Sequence, residues 1–134
     1  MPDTLELEVA TPERELVREQ VTEVQVPAAQ GYIGVLPGHA PLMSALGIGT
    51  LTYVVGGAKR HLSVHGGFLE ILENHVRVLA DVAERAEEID IQRAKAALER
   101  SQREALNPAI GVDPAVALAA TLRARARLAT AEKL

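Results

Sequence analysis

Four arginines in the last third of the sequence have the spacing needed to build a shared anion site. Arg93 and Arg100 are seven residues apart and Arg123 and Arg127 are four apart, so each pair would occupy one face of a helix. Guanidinium groups bind phosphates and carboxylates through paired hydrogen bonds. If two such helices ran antiparallel, the four groups would converge, and their mutual repulsion would favour an anion between them.

A simpler interpretation is available for the first of these helices. Arg100 precedes Glu104 by four residues and Glu99 precedes Arg103 by four, so both pairs could lie along an exposed face. The second helix offers no such explanation, because none of its three arginines has an acidic residue within four positions. Their partners are therefore expected elsewhere in the molecule or on another one.

Helix signals surround both pairs of arginines. Asp90 stands at an N-cap position, Asn107-Pro108 and Gly111 interrupt the pattern, and Asp113-Pro114 restarts it with a cap and a proline at the first helical position. We predict apolar stripes made of Ile91, Ala94, Leu98 and Ala105 in the first helix and Leu118, Leu122, Ala126 and Ala129 in the second. Because alanine buries little surface, the two helices should form a marginally stable, movable hairpin.

The first 83 residues are typical of a β-rich domain. Leu5, Leu7 and Val9 alternate with glutamates, which predicts a strand with one wet face, and Gly56-Gly57 between two apolar runs predicts a tight hairpin. A glycine- and proline-rich corner follows Gly31. About eight or nine short strands at even spacing indicate a β-sandwich or flattened barrel. We predict an α+β fold, with the sandwich in residues 1–83, a hinge in 84–89 and an antiparallel two-helix hairpin in 90–134.

Composition excludes several classes of function. The sequence has no cysteine, which rules out disulfides, thiolate metal sites and a cysteine nucleophile. Aromatic residues make up 2% and the net charge is −4, which argue against nucleic-acid binding. Residues 1–113 carry 10 basic and 17 acidic side chains, whereas residues 114–134 carry 4 and 1. This basic end predicts an interaction made by the last helix.

No arrangement typical of catalysis or of metal binding is evident. Gly56-Gly57-Ala58-Lys59 lacks the further glycine, the hydroxyl residue and the strand-to-helix setting of a P-loop, and the serines lack a nucleophile-elbow context. His61 and His65 would share one face of a strand, but no third ligand has matching spacing. We therefore predict neither catalytic residues nor metal ligands. The sequence shows no secretory signal and no apolar run of about 20 residues, so a cytoplasmic protein is the default.

Several motifs, in order along the sequence, resemble the epsilon subunit of bacterial F-type ATP synthase. They are Gly34 to Leu42, Gly66-Gly67-Phe68-Leu69-Glu70, Val78-Leu79-Ala80-Asp81 and the helical start Ile89-Asp90-Ile91-Gln92-Arg93-Ala94. The resemblance covers the whole chain. It implies a non-catalytic rotor subunit, peripheral on the cytoplasmic side of the bacterial inner membrane, whose helical hairpin restrains ATP hydrolysis when it extends.

The resemblance also implies partners and a ligand. The partners are the central-stalk gamma subunit, the catalytic alpha and beta subunits through the hairpin, and the membrane rotor ring through Ala29, Gln30, Gly31 and Tyr32. The ligand is ATP, acting as a regulator and held by Glu84, Ile89, Asp90, Arg93, Ala94, Arg100, Arg123 and Arg127. The segment from Leu106 to Val112 departs from the family pattern. Alternatively, the arginines meet acidic segments of the catalytic subunits, or the chain is a free-standing small ATP-binding sensor.

Overall fold

Eight strands come first along the chain and two helices follow. The computed structural model describes residues 3–134. The strands are β1 (Leu5–Ala10), β2 (Glu15–Val21), β3 (Glu23–Ala28), β4 (Gly31–Val35), β5 (Leu42–Ala45), β6 (Ile48–Val55), β7 (Ala58–Leu72) and β8 (His75–Arg85). The helices are α1 (Ile91–Leu106) and α2 (Pro114–Ala131), and short 3-10 turns cover Ala86–Glu88 and Pro108–Ile110. The predicted fold class, a sheet domain followed by a two-helix hairpin, is confirmed.

All eight strands belong to one open sheet. Its order is β2-β1-β8-β7-β6-β3-β4, and β5 pairs separately with β7. The outer strands β2 and β4 do not pair with each other, so the sheet is not closed. The long strand β7 serves both halves of the fold, because its first part pairs with β6 and its last part with β5. The prediction of short, evenly spaced strands is wrong for β7, which runs for 15 residues.

A double glycine at the middle of β7 allows this change of partner. Gly66 and Gly67 have φ angles of 69° and 115°, which favour glycine over other residues. A methyl group on Gly67 would lie 2.0 Å from the carbonyl oxygen of Leu79 on β8. The close approach of the two strands therefore depends on a residue without a side chain.

The core of the sheet domain is aliphatic, as the low aromatic content predicts. Leu5, Leu7 and Val9 of β1 are fully buried, whereas the glutamates between them face Arg18 on β2. The alternation predicted for this strand is confirmed. Buried aliphatic side chains from β2, β3, β4, β6, β7 and β8, together with Leu46 after β5, complete the core, with Tyr53 as an aromatic member.

The predicted helix boundaries are confirmed by their capping contacts. The Asp90 carboxylate accepts a hydrogen bond from the backbone N–H of Arg93 (3.0 Å), which fixes the start of α1. The Asp113 carboxylate accepts from the N–H of Ala115 (2.8 Å), and Pro114 occupies the first turn of α2. Gly111, with a φ angle of 84°, ends the 3-10 turn between the helices.

The apolar stripe predicted for α2 is wrong. Leu118 and Leu122 are 57% and 44% exposed and Ala129 is exposed, so only Ala126 of the predicted stripe is buried. The buried residues of α2 are instead small or carry hydroxyls: Ala117, Thr121, Ala124, Ala126, Thr130 and Ala131. A threonine can be buried here because its hydroxyl bonds within its own helix, as Thr121 Oγ1 does to the carbonyl of Ala117 (3.0 Å).

The stripe predicted for α1 is also only partly correct. Ala94 is buried and Leu98 is half-buried, but Ile91 and Ala105 are exposed. Ser101 is buried against α2, where its Oγ lies 2.8 Å from Thr121 Oγ1. The two helices approach through small side chains and hydroxyls, a kind of contact that counting hydrophobic residues does not detect.

The predicted hinge spans the end of β8 and the 3-10 turn that follows it. Glu88 in that turn accepts two hydrogen bonds from the Arg14 guanidinium (2.8 and 2.9 Å), which hold the pKa of Glu88 below its usual value. The turn is thereby tied to the segment between β1 and β2. In the described part of the chain, no helix combines the length and hydropathy required to cross a bilayer.

Candidate functional site

A cavity of ≈ 410 Å³ lies where the two helices meet strand β8. We call it the arginine cavity, and its lining consists of Val82, Glu84, Asp90, Arg93, Ala94, Ala97, Arg100, Ala120, Arg123 and Arg127. All four arginines that the sequence analysis expected to converge are present. Of the eight predicted ligand-binding residues, Ile89 alone is not in the lining; it is buried just before the cap of α1.

The elements of the fold explain why these side chains come together. The Asp90 cap fixes the start of α1, so that Arg93 and Arg100 face the cavity along one side of the helix. The contact between Ser101 and Thr121 holds α2 close to α1 and antiparallel to it. β8 completes the cavity with Val82 and Glu84, whose side chains leave the sheet on the face that α2 covers.

One of the four guanidinium groups is already paired. Arg127 Nε donates to Glu84 Oε1 at 2.6 Å, and both side chains are 29% exposed. This ion pair joins α2 to the sheet and confirms that the partner of Arg127 lies outside its own helix. Neither of the pairs considered along α1, Arg100 with Glu104 or Glu99 with Arg103, is among the ion pairs of residues 3–134. The exposed-face interpretation of α1 is therefore not supported.

The charge of the arginine cavity is unbalanced towards positive. Four guanidinium groups face two carboxylates, Glu84 and Asp90, and one of these also caps α1. Val82 and three alanines supply apolar surface beside the charges. The volume falls in the range of small-molecule sites. Guanidinium groups next to methyl groups suit a polyanion that also carries an apolar part.

The sheet beneath α2 carries polar residues that sequence reasoning did not connect with the hairpin. We call Thr50, Ser63 and His65 the polar strip. Thr50 and Ser63 are paired across β6 and β7, and His65 lies two residues further along β7 on the same face. All three are buried. The alternation of Leu62 and Val64 with Ser63 and His65 is visible in the sequence and predicts one polar face of the strand. It does not show that a helix covers that face.

His65 has an unusual environment. Its Nε2 lies 2.7 Å from Ser63 Oγ, while its Nδ1 is buried without a hydrogen-bond partner. Burial, together with the positive charges of Arg127 and Arg123, lowers the pKa of His65 to about 4. His61, on the same face, shares a hydrogen bond of 2.8 Å with Thr52 Oγ1. Both rings are thus engaged by hydroxyls.

The loop predicted to contact a rotor ring connects β3 with β4. Ala29, Gln30 and Gly31 are exposed, and Tyr32 is 57% exposed. The Tyr32 hydroxyl accepts a hydrogen bond from the backbone N–H of Thr50 (3.0 Å), so the ring is anchored at its tip while one side remains free. The loop is therefore available for contact with another molecule.

Comparisons with known proteins place these features in context. The family model described as ATP synthase, Delta/Epsilon chain, beta-sandwich domain matches residues 4–86. The ATP synthase epsilon chain of Solibacter usitatus (strain Ellin6076) is 90% identical over 133 residues, which are 99% of each chain. That of Nitratidesulfovibrio vulgaris (strain DP4) is 46% identical over 128 residues, which are 96% of each.

A solved structure is similar over nearly the whole chain. It is the cryo-EM structure of the Euglena gracilis mitochondrial ATP synthase, OSCP/F1/c-ring in rotational state 1. The TM-score is 0.74 at 25% identity, and the match covers 98% of this chain and 79% of the other. The match therefore includes the helical hairpin, which the family model does not reach.

Proposed function

The chain belongs to the ATP synthase epsilon-chain family, and we propose on this premise that it is a non-catalytic rotor subunit in the central stalk of an F-type ATP synthase. The similarity to a chain in a structure titled OSCP/F1/c-ring supports this assignment. We place it peripherally on the cytoplasmic side of a bacterial inner membrane.

The sheet domain is proposed to couple the catalytic head to the ring. It would pack on the central-stalk gamma subunit and meet the polar loops of the membrane rotor ring through Ala29, Gln30, Gly31 and Tyr32. The exposure of this loop supports the second contact. Co-elution with the gamma subunit in gel filtration tests the first. A free-standing ATP sensor, the alternative function, would elute alone.

The hairpin is proposed to regulate ATP hydrolysis by moving. In the docked position α2 covers the polar strip, and in an extended position it would reach the catalytic alpha and beta subunits and restrain hydrolysis. The interface supports mobility, because α2 docks through alanines, threonines and a partly exposed ion pair and not through large apolar side chains. Small side chains contribute little burial energy.

ATP is proposed as the ligand that favours the docked hairpin. The observation that supports this most is the convergence of Arg93, Arg100, Arg123 and Arg127 from two helices around one cavity that β8 completes. A polyanion there would bridge all three elements. A ligand present at 100 times its dissociation constant stabilises the form it binds by about 2.7 kcal/mol, which is enough to move a marginal equilibrium.

Titration calorimetry on the full chain tests the ligand. We expect ATP to bind with measurable heat at millimolar concentration, and we expect Arg93→Ala and Arg127→Ala each to weaken binding at least tenfold, since a charge-assisted hydrogen bond contributes about 1.5 to 3 kcal/mol. Arg103→Ala is the matched control, because Arg103 is on α1 but outside the cavity lining. Absence of heat, or equal losses in all three variants, would refute the assignment.

A further inference from the structure

Helix α2 rests on a polar part of the sheet and not on an apolar one. Thr130 Oγ1 lies 2.7 Å from Thr50 Oγ1, and both hydroxyls are buried in the interface. Next to them on the same face lie Ser63 and His65, and Glu84 of β8 pairs with Arg127 above them. Among the fully buried side-chain nitrogen and oxygen atoms of this interface in residues 3–134, His65 Nδ1 is the one without a hydrogen-bond partner.

That nitrogen makes the docked interface sensitive to a proton. A neutral imidazole needs one donor and one acceptor contact, and Ser63 supplies one of them to Nε2. A protonated imidazole carries N–H groups at both positions, and Nδ1–H would be buried with no acceptor. The docked interface therefore favours the neutral form of His65, because protonation adds a buried N–H without an acceptor.

The charges around His65 also disfavour its protonation in the docked state. α2 contributes Arg123 and Arg127, which repel a positive imidazolium. β8 contributes Val82, directly opposite His65, and Glu84, whose carboxylate is already engaged by Arg127. β6 contributes Ile48 and Thr50, which do not titrate. The Glu84 carboxylate is thus neutralised by an arginine.

We propose that His65 is a proton-binding site that opens when α2 leaves the sheet, so that the proton is a second regulatory ligand and favours the undocked hairpin. The inference rests on the proposed mobility of the hairpin and is independent of ATP. Undocking removes the cover from His65 and takes Arg123 and Arg127 away with the helix. The ring then meets water at both nitrogens.

The direction and size of the effect follow from linkage. In the docked state the pKa of His65 is about 4, and on exposure it returns towards the ordinary 6.5. A lowered pKa means that the docked state is favoured above the exposed value and loses that advantage as the pH falls through 6.5 towards 4. Between pH 7.5 and 5.5, the ratio of undocked to docked chains should rise about tenfold.

Single-molecule fluorescence transfer on the full chain measures this ratio. The chain has no cysteine, so Glu23→Cys in β3 and Glu99→Cys in α1 place two dyes at exposed positions on either side of the interface. We expect the tenfold rise in the parent chain and a flat response in His65→Gln, whose amide stays neutral and can still bond to Ser63. His39→Gln, in the loop between β4 and β5, is the matched control and should respond like the parent.

Three results would overturn this proposal alone. They are a pH-independent ratio in the parent chain, an unchanged pH response in His65→Gln, or a ring titration of His65 near pH 6.5 in docked chains, read by NMR without any substitution at that site. Absence of an undocked population at every pH would overturn both this inference and the proposed mobility. A failure of ATP to bind would leave the pH response in place, so the two proposals fail separately.

Discussion

At the scale of single residues, the hydroxyl pair between Thr50 and Thr130 shows how the docked hairpin is held. Thr130 Oγ1 donates to the carbonyl of Ala126 (2.7 Å), so its contact with Thr50 uses the Thr50 proton. Both side chains are buried. Within residues 3–134, the hydroxyl of Thr50 therefore depends on the hydroxyl of Thr130 as its hydrogen-bond partner.

Removing one member of this pair should cost more than removing both. Thr130→Val leaves the Thr50 hydroxyl buried without a partner, and we expect α2 docking to weaken by about 1 to 3 kcal/mol, whereas Thr50→Val with Thr130→Val should be close to neutral. Native-state hydrogen exchange of the α2 amides measures the effect. Thr22→Val, at an exposed threonine of the same sheet domain, is the control. If α2 docking is weakened as much in the double variant as in Thr130→Val, this account is contradicted.

Sequence reasoning reached the arginines but not the histidine. Arg93, Arg100, Arg123 and Arg127 could be assigned to one site because charge and helical spacing are both visible in the sequence. The role of His65 depends on what covers it. Its burial and its missing partner arise from the packing of α2 on β7, and no local pattern encodes that contact.

At the scale of elements, α2 reverses the usual distribution of side chains. Its leucines at 118 and 122 point outwards, and its alanines and threonines point inwards. Helix existence and boundaries were predictable, because caps and prolines act locally through Asp90, Asp113 and Pro114. The buried face of α2 was not predictable from hydrophobic spacing. The close approach of α1 and α2 requires small side chains, whether or not they are hydrophobic.

Substitutions on the two faces of α2 should differ sharply. Leu118→Gln should change the free energy of unfolding by less than about 0.5 kcal/mol, because the side chain is mostly exposed. Ala124→Leu should cost about 1 to 3 kcal/mol, because Ala124 is buried against its neighbours. Hydrogen exchange of the α2 amides reads both. A larger loss of stability in Leu118→Gln than in Ala124→Leu would show that the leucines form the packing face of α2.

At the scale of the whole molecule, the sheet domain carries its own core. The core cluster consists of residues between Leu5 and Ala83, all of them on the sheet side of the chain. The hairpin adds the polar interface and the arginine cavity. The predicted domain boundaries remain a prediction, and a truncated chain can test them.

A chain ending at Glu88 should fold without the hairpin. It retains all eight strands and the contact between Arg14 and Glu88, and it loses only elements that cover polar groups. We expect a cooperative thermal transition by circular dichroism and a His65 ring whose pKa, read by NMR, has risen from about 4 towards 6.5. An unfolded product would show that the sheet and the hairpin form one cooperative unit. A His65 pKa still near 4 would show that the sheet, not α2, buries the ring.

The inverted distribution on α2 bears on solubility. When the helix swings away, the surfaces newly wetted are methyl groups of alanine, hydroxyls, an imidazole and an ion pair. None of these groups forms a large apolar patch that would promote aggregation. The bulky leucines are exposed to water in either position, so the proposed opening and closing should leave the tendency to aggregate almost unchanged.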